Sequence, residues 1–209
     1  MSHQKKWMKY FVGVGLMLGC QLWVGTTAYG GEPLVQQHVA KQEALHRFTF
    51  EQKQMGVSFK FVLYAKNKAT ANKAAQFAYN KVNELNSIFS DYDPKSKLML
   101  LCATSKKGHP VKVSSDLLEV LLSAQVLSCK SDGAFDVTVG PMVKAWRRAR
   151  HSRMLPSKRK IEMLKKRVGW QYLSINLVKG TVELQKEKML LDLGGIAKGY
   201  AADEALKVL

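Results

Sequence analysis

The sequence predicts an α+β fold, a single mixed domain, from three observations. A two-residue alternation runs over residues 48–65, a helical apolar spacing follows over 71–89, and strand and helix signals then mix without strict alternation. Once an N-terminal leader is set aside, the remaining length suits one domain.

In the first segment Val57, Phe59, Phe61 and Leu63 share one face while Ser58 and Lys60 take the other, which predicts a strand pair turning at Gln54-Met55-Gly56. Ala71, Ala75, Ala78, Val82, Leu85 and Phe89 fall at helical spacing, and Ser90-Asp91-Tyr92-Asp93-Pro94 stops that helix. A second helix is expected to start at Asp116, with Glu119 in the capping-box position and Leu117, Val120, Leu121, Ala124 and Leu127 turned inward. A basic helix over 158–167 precedes strands at 172–177 and 181–184, joined by a Lys179-Gly180 turn. Residues 188–193 read as a strand, Gly194-Gly195 as a turn, and Ala197, Ala201, Ala205 and Val208 as one face of a last helix. That helix is expected to leave its apolar face uncovered, since no later segment follows to pack on it.

The strand-turn-helix at 188–208 carries the strongest chemical signal. A helix N-terminus has unpaired N–H groups and a positive dipole end, which together favour an anion such as a pyrophosphate. Glycine at 194 and 195 would let a ligand approach the backbone, and Asp192 at the joint could hold a divalent cation or a ribose-like hydroxyl. The glycine order matches neither the dinucleotide fingerprint nor a P-loop. On spacing alone, a turn or cap carboxylate explains Asp192 equally well.

The N-terminus has the form of an export signal over residues 1–30. Lys5, Lys6 and Lys9 precede an apolar run over 10–24 that Gly13, Gly15 and Gly19 interrupt. Two fates stay open, cleavage near Ala28-Tyr29-Gly30 or lipidation at Cys20; residues 31–45 are expected to be a mobile linker. The formal net charge is +17, and eleven of the residues from 144 to 167 are Lys or Arg against the single acid Glu162. Clustered cations suit nucleic acid, but an exported protein rarely meets it. The expectation is a solvated helix face, near anionic headgroups or gathering an anionic ligand, with each charge contributing little. Cys102 and Cys129 form no metal or redox motif and are expected to be buried free thiols.

Two segments together narrow the function. Gly133-Ala134-Phe135-Asp136-Val137-Thr138-Val139-Gly140-Pro141-Met142-Val143-Lys144-Ala145-Trp146 and Asp192-Leu193-Gly194-Gly195-Ile196-Ala197-Lys198-Gly199-Tyr200-Ala201-Ala202-Asp203 closely resemble the two long motifs of the FAD:protein FMN transferase family, also called ApbE. Met55-Gly56-Val57, the loop from Phe89 to Ser96 and Pro156-Ser157 are weaker matches in the right order. The resemblance implies a mixed domain of the ApbE type with residues 46–209 as its N-terminal part. It also implies Mg²⁺-dependent transfer of FMN from FAD to a Ser or Thr of a redox partner, with AMP as the second product. A catalytically inactive FAD-binding fragment or degenerate copy is the rival reading.

By motif, Met55 and Tyr92 would contact the flavin side of FAD, and Ala134, Phe135 and Asp136 would line the nucleotide pocket. Asp192 and Lys198 would complete it, and Gly195 would offer Mg²⁺ its carbonyl. The remaining metal ligands and the catalytic group would lie in a later part of the family's domain. Flavin-accepting subunits of membrane redox complexes would be the partners, with an N-terminal membrane anchor, no nucleic acid, and a location in the periplasm or on the periplasmic face of the inner membrane. One departure stands out: Lys97-Leu98-Met99-Leu100-Leu101-Cys102 replaces the family's Glu-Leu-Ser-Arg-Leu-Asn. Each assignment has a plainer rival: Met55 and Phe135 as core, Tyr92 as a loop closer, Asp136 and Asp192 as turn carboxylates, Lys198 as a surface lysine.

Overall fold

The structure, a computed structural model, describes residues 44–209. The expected export signal with Cys20, and the expected linker as far as residue 43, lie outside the described residues. Among those described, no helix is long and apolar enough to cross a membrane.

Strands β1 (His46–Gln54) and β2 (Val57–Ala65) pair antiparallel, with Gln54 opposite Val57. Both turn residues, Met55 and Gly56, have positive φ (50 and 75), the geometry that matches the twist of a two-residue hairpin. Phe59 and Phe61 press onto helix α1 (Lys68–Phe89), where the Tyr79 hydroxyl donates to the Phe59 carbonyl at 3.2 Å. Asn67 caps α1 by accepting the Thr70 N–H at 2.8 Å. The inner stripe of α1, including Ala78, Val82 and Leu85, is fully buried, each large side chain contributing about 1.5–3 kcal/mol.

Helix α2 (Lys97–Thr104) and strand β3 (Val111–Lys112) lead to helix α3 (Ser115–Lys130). Helix α4 (Gly140–Ser152) and α5 (Lys158–Lys165) follow, then strands β4 (Leu173–Asn176) and β5 (Thr181–Leu184). The second sheet is antiparallel in the order β3-β5-β4. Helix α6 (Ala197–Lys207) closes the described chain.

Several expectations are corrected. The capping box does not form: α3 starts at Ser115, and Glu119 accepts the Tyr200 hydroxyl at 3.1 Å instead, a tertiary partner winning over the local one. The face of α6 is covered only in part: Ala197, Ala201 and Ala205 are buried where α6 packs on α1, small side chains allowing close approach, while Val208 at its end stays exposed. Residues 188–193 make only a parallel bridge, Val139 to Leu190, rather than a strand. Of the two thiols, Cys102 is half-buried and Cys129 exposed, both free. Helix α2 lies outside the expected elements, and the solvated helix face expected of the basic run becomes, in α4, a helix with one side buried. The first is a short apolar run without readable period; the second hides its buried side, Ala145 and Ala149, among arginines, with Pro141 in its first turn as the start signal.

Candidate nucleotide site

The two long motif segments lie side by side. Val139 bridges Leu190, and the Asp192 N–H donates to the Val137 carbonyl at 2.8 Å. Gly140 makes this approach possible, since a Cβ there would stand 2.5 Å from the Leu190 carbonyl oxygen. At 195 a Cβ would meet the Phe135 ring at 3.0 Å, and at 194 the Asp192 carboxylate at 2.9 Å. These glycines therefore make room for the protein's own groups.

The turn also uses its own amides. Asp192 Oδ1 accepts the Gly194 N–H at 2.8 Å, and the Ile196 and Ala197 N–H groups both donate to the Leu193 carbonyl. The expectation of several free amides facing a ligand is corrected accordingly. Positive charge at the turn comes instead from side chains. Lys198 Nζ donates to the Gly194 carbonyl at 2.9 Å, and Arg147 reaches in from α4.

Arg147 is the centre of the arrangement. Its Nη2 pairs with Asp192 Oδ2 at 3.1 Å, its Nη1 pairs with Asp91 Oδ2, and its guanidinium carbon lies 4.2 Å from the centre of the Tyr92 ring. Burial opposes the guanidinium charge, but the bond to Asp91 and the charges of Asp91, Tyr92 and Asp192 outweigh it and hold its pKa above the ordinary value. Arg147 has therefore left the solvated basic face to which the sequence assigns it.

The loop bearing Asp91 and Tyr92 is held rigidly. Ser90 Oγ accepts the Tyr92 and Asp93 N–H groups, and the buried Ser96 hydroxyl donates to the Ser90 carbonyl at 2.6 Å while capping α2. Tyr92 itself is 76 % exposed, so one ring face carries Arg147 and the rest of the ring meets solvent. Where the family has asparagine, the Cys102 sulfur accepts the Leu191 N–H at 3.4 Å and tethers this segment to α2; burial pushes its thiol pKa up.

Asp136 behaves differently. Its Oδ1 accepts both the N–H and the hydroxyl of Thr138 at 2.7 Å, and its Oδ2 accepts the Trp170 N–H at 3.1 Å. The Thr138 oxygen in turn accepts the Gly169 N–H at 2.8 Å. Ala134 is exposed and Phe135 half-buried. Met55 lies elsewhere, in an open cleft of about 630 Å³ between the hairpin turn and the polar face of α1, where Asn80, Asn83 and Asn86 supply amides. That cleft ends four residues before Ser90, so it runs along α1 toward the Tyr92 loop.

A sequence profile described as the ApbE family matches residues 55–209. The chain belongs to the ApbE family. A relative from Chlamydia pneumoniae named FAD:protein FMN transferase is 31% identical over 159 residues, 74% of this chain and 49% of that protein. The ApbE protein of Thermotoga maritima matches with a TM-score of 0.70 at 24% identity, covering 78% of this chain and 52% of the other. The flavin transferase ApbE from Vibrio cholerae gives 0.69 at 22%, covering 78% and 53%. These likenesses establish an ApbE mixed α/β fold, and this chain spans about half the length of the curated relatives it matches.

The Mg²⁺ that the motif resemblance implies asks for hard oxygen donors. Gly195 can offer one backbone oxygen, the Asp192 carboxylate already holds Arg147, and no group of three His, Cys, Asp or Glu side chains gathers among the described residues. A Mg²⁺ at this turn would therefore draw most of its near-octahedral oxygen set from water, phosphate or oxygens outside residues 44–209. Sequence reasoning missed Arg147 and, as a site residue, Asp91. Asp91 sat inside a matched loop, whereas nothing in the basic run marks Arg147.

Proposed function

We propose that the chain serves FAD:protein FMN transfer, moving FMN from FAD to a Ser or Thr hydroxyl of a redox partner protein with release of AMP. The observation that carries this reading is the Arg147 fork between Asp91 and Asp192, stacked on Tyr92, beside the join of the two motif segments. A pyrophosphate is disfavoured beside an uncompensated carboxylate. Arg147, shared between Asp91 and Asp192, offsets part of their charge and carries a planar fork that could pass from a carboxylate to phosphate oxygens, while Lys198 adds a second cation at the same turn. The exposed Tyr92 ring offers a face to a planar heterocycle, and the Met55 cleft gives an elongated ligand room along α1. Asp136 would act at one remove, fixing the loop that carries Ala134 and Phe135.

In the transfer, the acceptor oxygen attacks the FMN phosphorus and the P–O bond to the AMP phosphate breaks. AMP leaves with the bridging oxygen, and the hydroxyl proton passes to solvent. Residues 44–209 contribute by positioning and charge compensation. No proton acceptor is assigned, since His109 and His151 are both exposed. A Mg²⁺ ion would need oxygens other than those of these residues.

A second reading, nucleotide binding without transfer, is favoured by the closure of Arg147 onto Asp192. Incubating the chain with FAD, Mg²⁺ and a peptide bearing an acceptor threonine separates the two. A covalently fluorescent peptide with AMP released supports transfer, retained FAD without either supports binding alone, and failure to bind FAD sinks both. The same proposal puts the protein outside the cytoplasm, in the periplasm or on the periplasmic face of the inner membrane, serving flavin-accepting subunits of membrane redox complexes. A reporter that works only outside the cytoplasm, fused after Leu209, should be active; silence contradicts export.

A further inference from the structure

The connection between α4 and α5 exposes side chains that proteins ordinarily cover. Met154 and Leu155 are 72 % and 81 % exposed, and Trp146 on α4 is exposed too. Arg153, with φ 55, ends α4 in the left-handed region and sends the chain into this connection. Trp146, Ala149, Arg150, Arg153 and Leu155 line one open depression of about 420 Å³, so apolar tip and arginines share a surface.

The charge around the tip has one sign. Lys144, Arg148, Arg150, Lys158 and Arg159 are exposed, and Glu162, the lone acid from 144 to 167, is paired with Lys165 at 3.0 Å. A nucleic acid would satisfy the cations and leave Met154 and Leu155 in water. An apolar protein groove would accept the tip and leave the cations unmatched. A bilayer with anionic headgroups answers both layers at once: phosphates meet the Lys and Arg heads while the acyl boundary takes the apolar tip and the Trp ring.

We propose that the α4–α5 connection docks this protein on an anionic phospholipid surface, with Met154 and Leu155 entering the boundary between headgroups and acyl chains. The contact is separate from the expected N-terminal anchor and does not depend on the transfer chemistry.

Because residues 1–43 are expected to bring membrane affinity of their own, the test compares variants within the full chain. Sedimentation with phosphatidylcholine vesicles, with and without phosphatidylglycerol, reads the partition coefficient. Arg148→Gln combined with Arg159→Gln lowers binding to the anionic vesicles roughly thirtyfold, the loss expected for two cations near such a surface. Met154→Ser combined with Leu155→Ser lowers it about tenfold, and that loss persists at high salt. Both double variants keep the parent's melting temperature, since all four side chains are exposed. The proposal is overturned if the parent ignores phosphatidylglycerol, or if either double variant binds like the parent. It is also overturned if a DNA duplex is bound more tightly than the anionic vesicles.

Discussion

Asp136 and Asp192 sit in turns that look alike, and the difference between them separates scaffold from site. Each carboxylate accepts the N–H two residues ahead, from Thr138 at 2.7 Å and from Gly194 at 2.8 Å. The second oxygens then diverge. Asp136 Oδ2 takes the backbone N–H of Trp170, whereas Asp192 Oδ2 takes the guanidinium of Arg147. A backbone amide cannot leave its acceptor without moving the chain. A guanidinium can exchange a carboxylate for a phosphate, because both match its fork. Local turn chemistry therefore does not separate the two aspartates; the second partner does, one carboxylate being locked to the backbone and the other held by a side chain that can exchange.

The largest expected effect breaks the comparison on the stability side. Asp136→Ala strands the Thr138 and Trp170 donors and should cost about 3–4 kcal/mol in urea unfolding, while Asp192→Ala should cost about 1 kcal/mol. Equal losses would erase the distinction between scaffold and site. Next in size, Gly140→Ala forces a Cβ against the Leu190 backbone and should lower stability by about 2–3 kcal/mol. Gly195→Ala meets only the Phe135 ring and should cost about 1 kcal/mol. A Gly140→Ala protein that melts like the parent would mean that the two motif segments are not pressed together.

A smaller effect concerns α6. Burial, then donation to Glu119 and the nearby charges of Asp116, Glu119 and Glu204, raise the Tyr200 pKa above the ordinary tyrosine value. A raised phenol pKa means that the folded state keeps its proton where the unfolded chain loses it. The contribution is thus complete below about pH 10 and is lost as pH rises above it. Tyr79, also raised by burial and by Glu51, acts in the same direction. Melting temperature should be level from about pH 7 to pH 9 and fall above pH 10, less steeply in Tyr200→Phe. An identical fall in that variant would assign the effect elsewhere.

Much of the fold was legible because its signals are periodic. The hairpin, α1 and the β4-β5 pair follow alternation or 3.6-residue spacing over enough residues to fix their faces. The site was legible only in part. Motif matching pointed to Tyr92, Phe135, Asp136, Asp192 and Lys198, yet the functions of the two glycines and of Asp136 became clear only from what each touches. Arg147 could not be found by pattern: its inward turn depends on a carboxylate 56 residues earlier in the chain, and ten neighbouring cations look the same. Met55 shows the converse, a residue named by motif whose left-handed φ no propensity would have chosen.

Titration of FAD fluorescence against the parent, Arg147→Ala and Arg148→Ala tests the central claim most directly, because the two arginines are adjacent on α4 and only Arg147 meets the carboxylates. Arg147→Ala should weaken FAD binding about tenfold or more, with Arg147→Lys recovering only part of the loss, since lysine keeps the charge without the fork. Arg148→Ala should change it less than about twofold, as expected of an exposed charge. Equal losses for Arg147→Ala and Arg148→Ala, or no loss for either, would contradict the assignment of the Arg147 fork to the nucleotide.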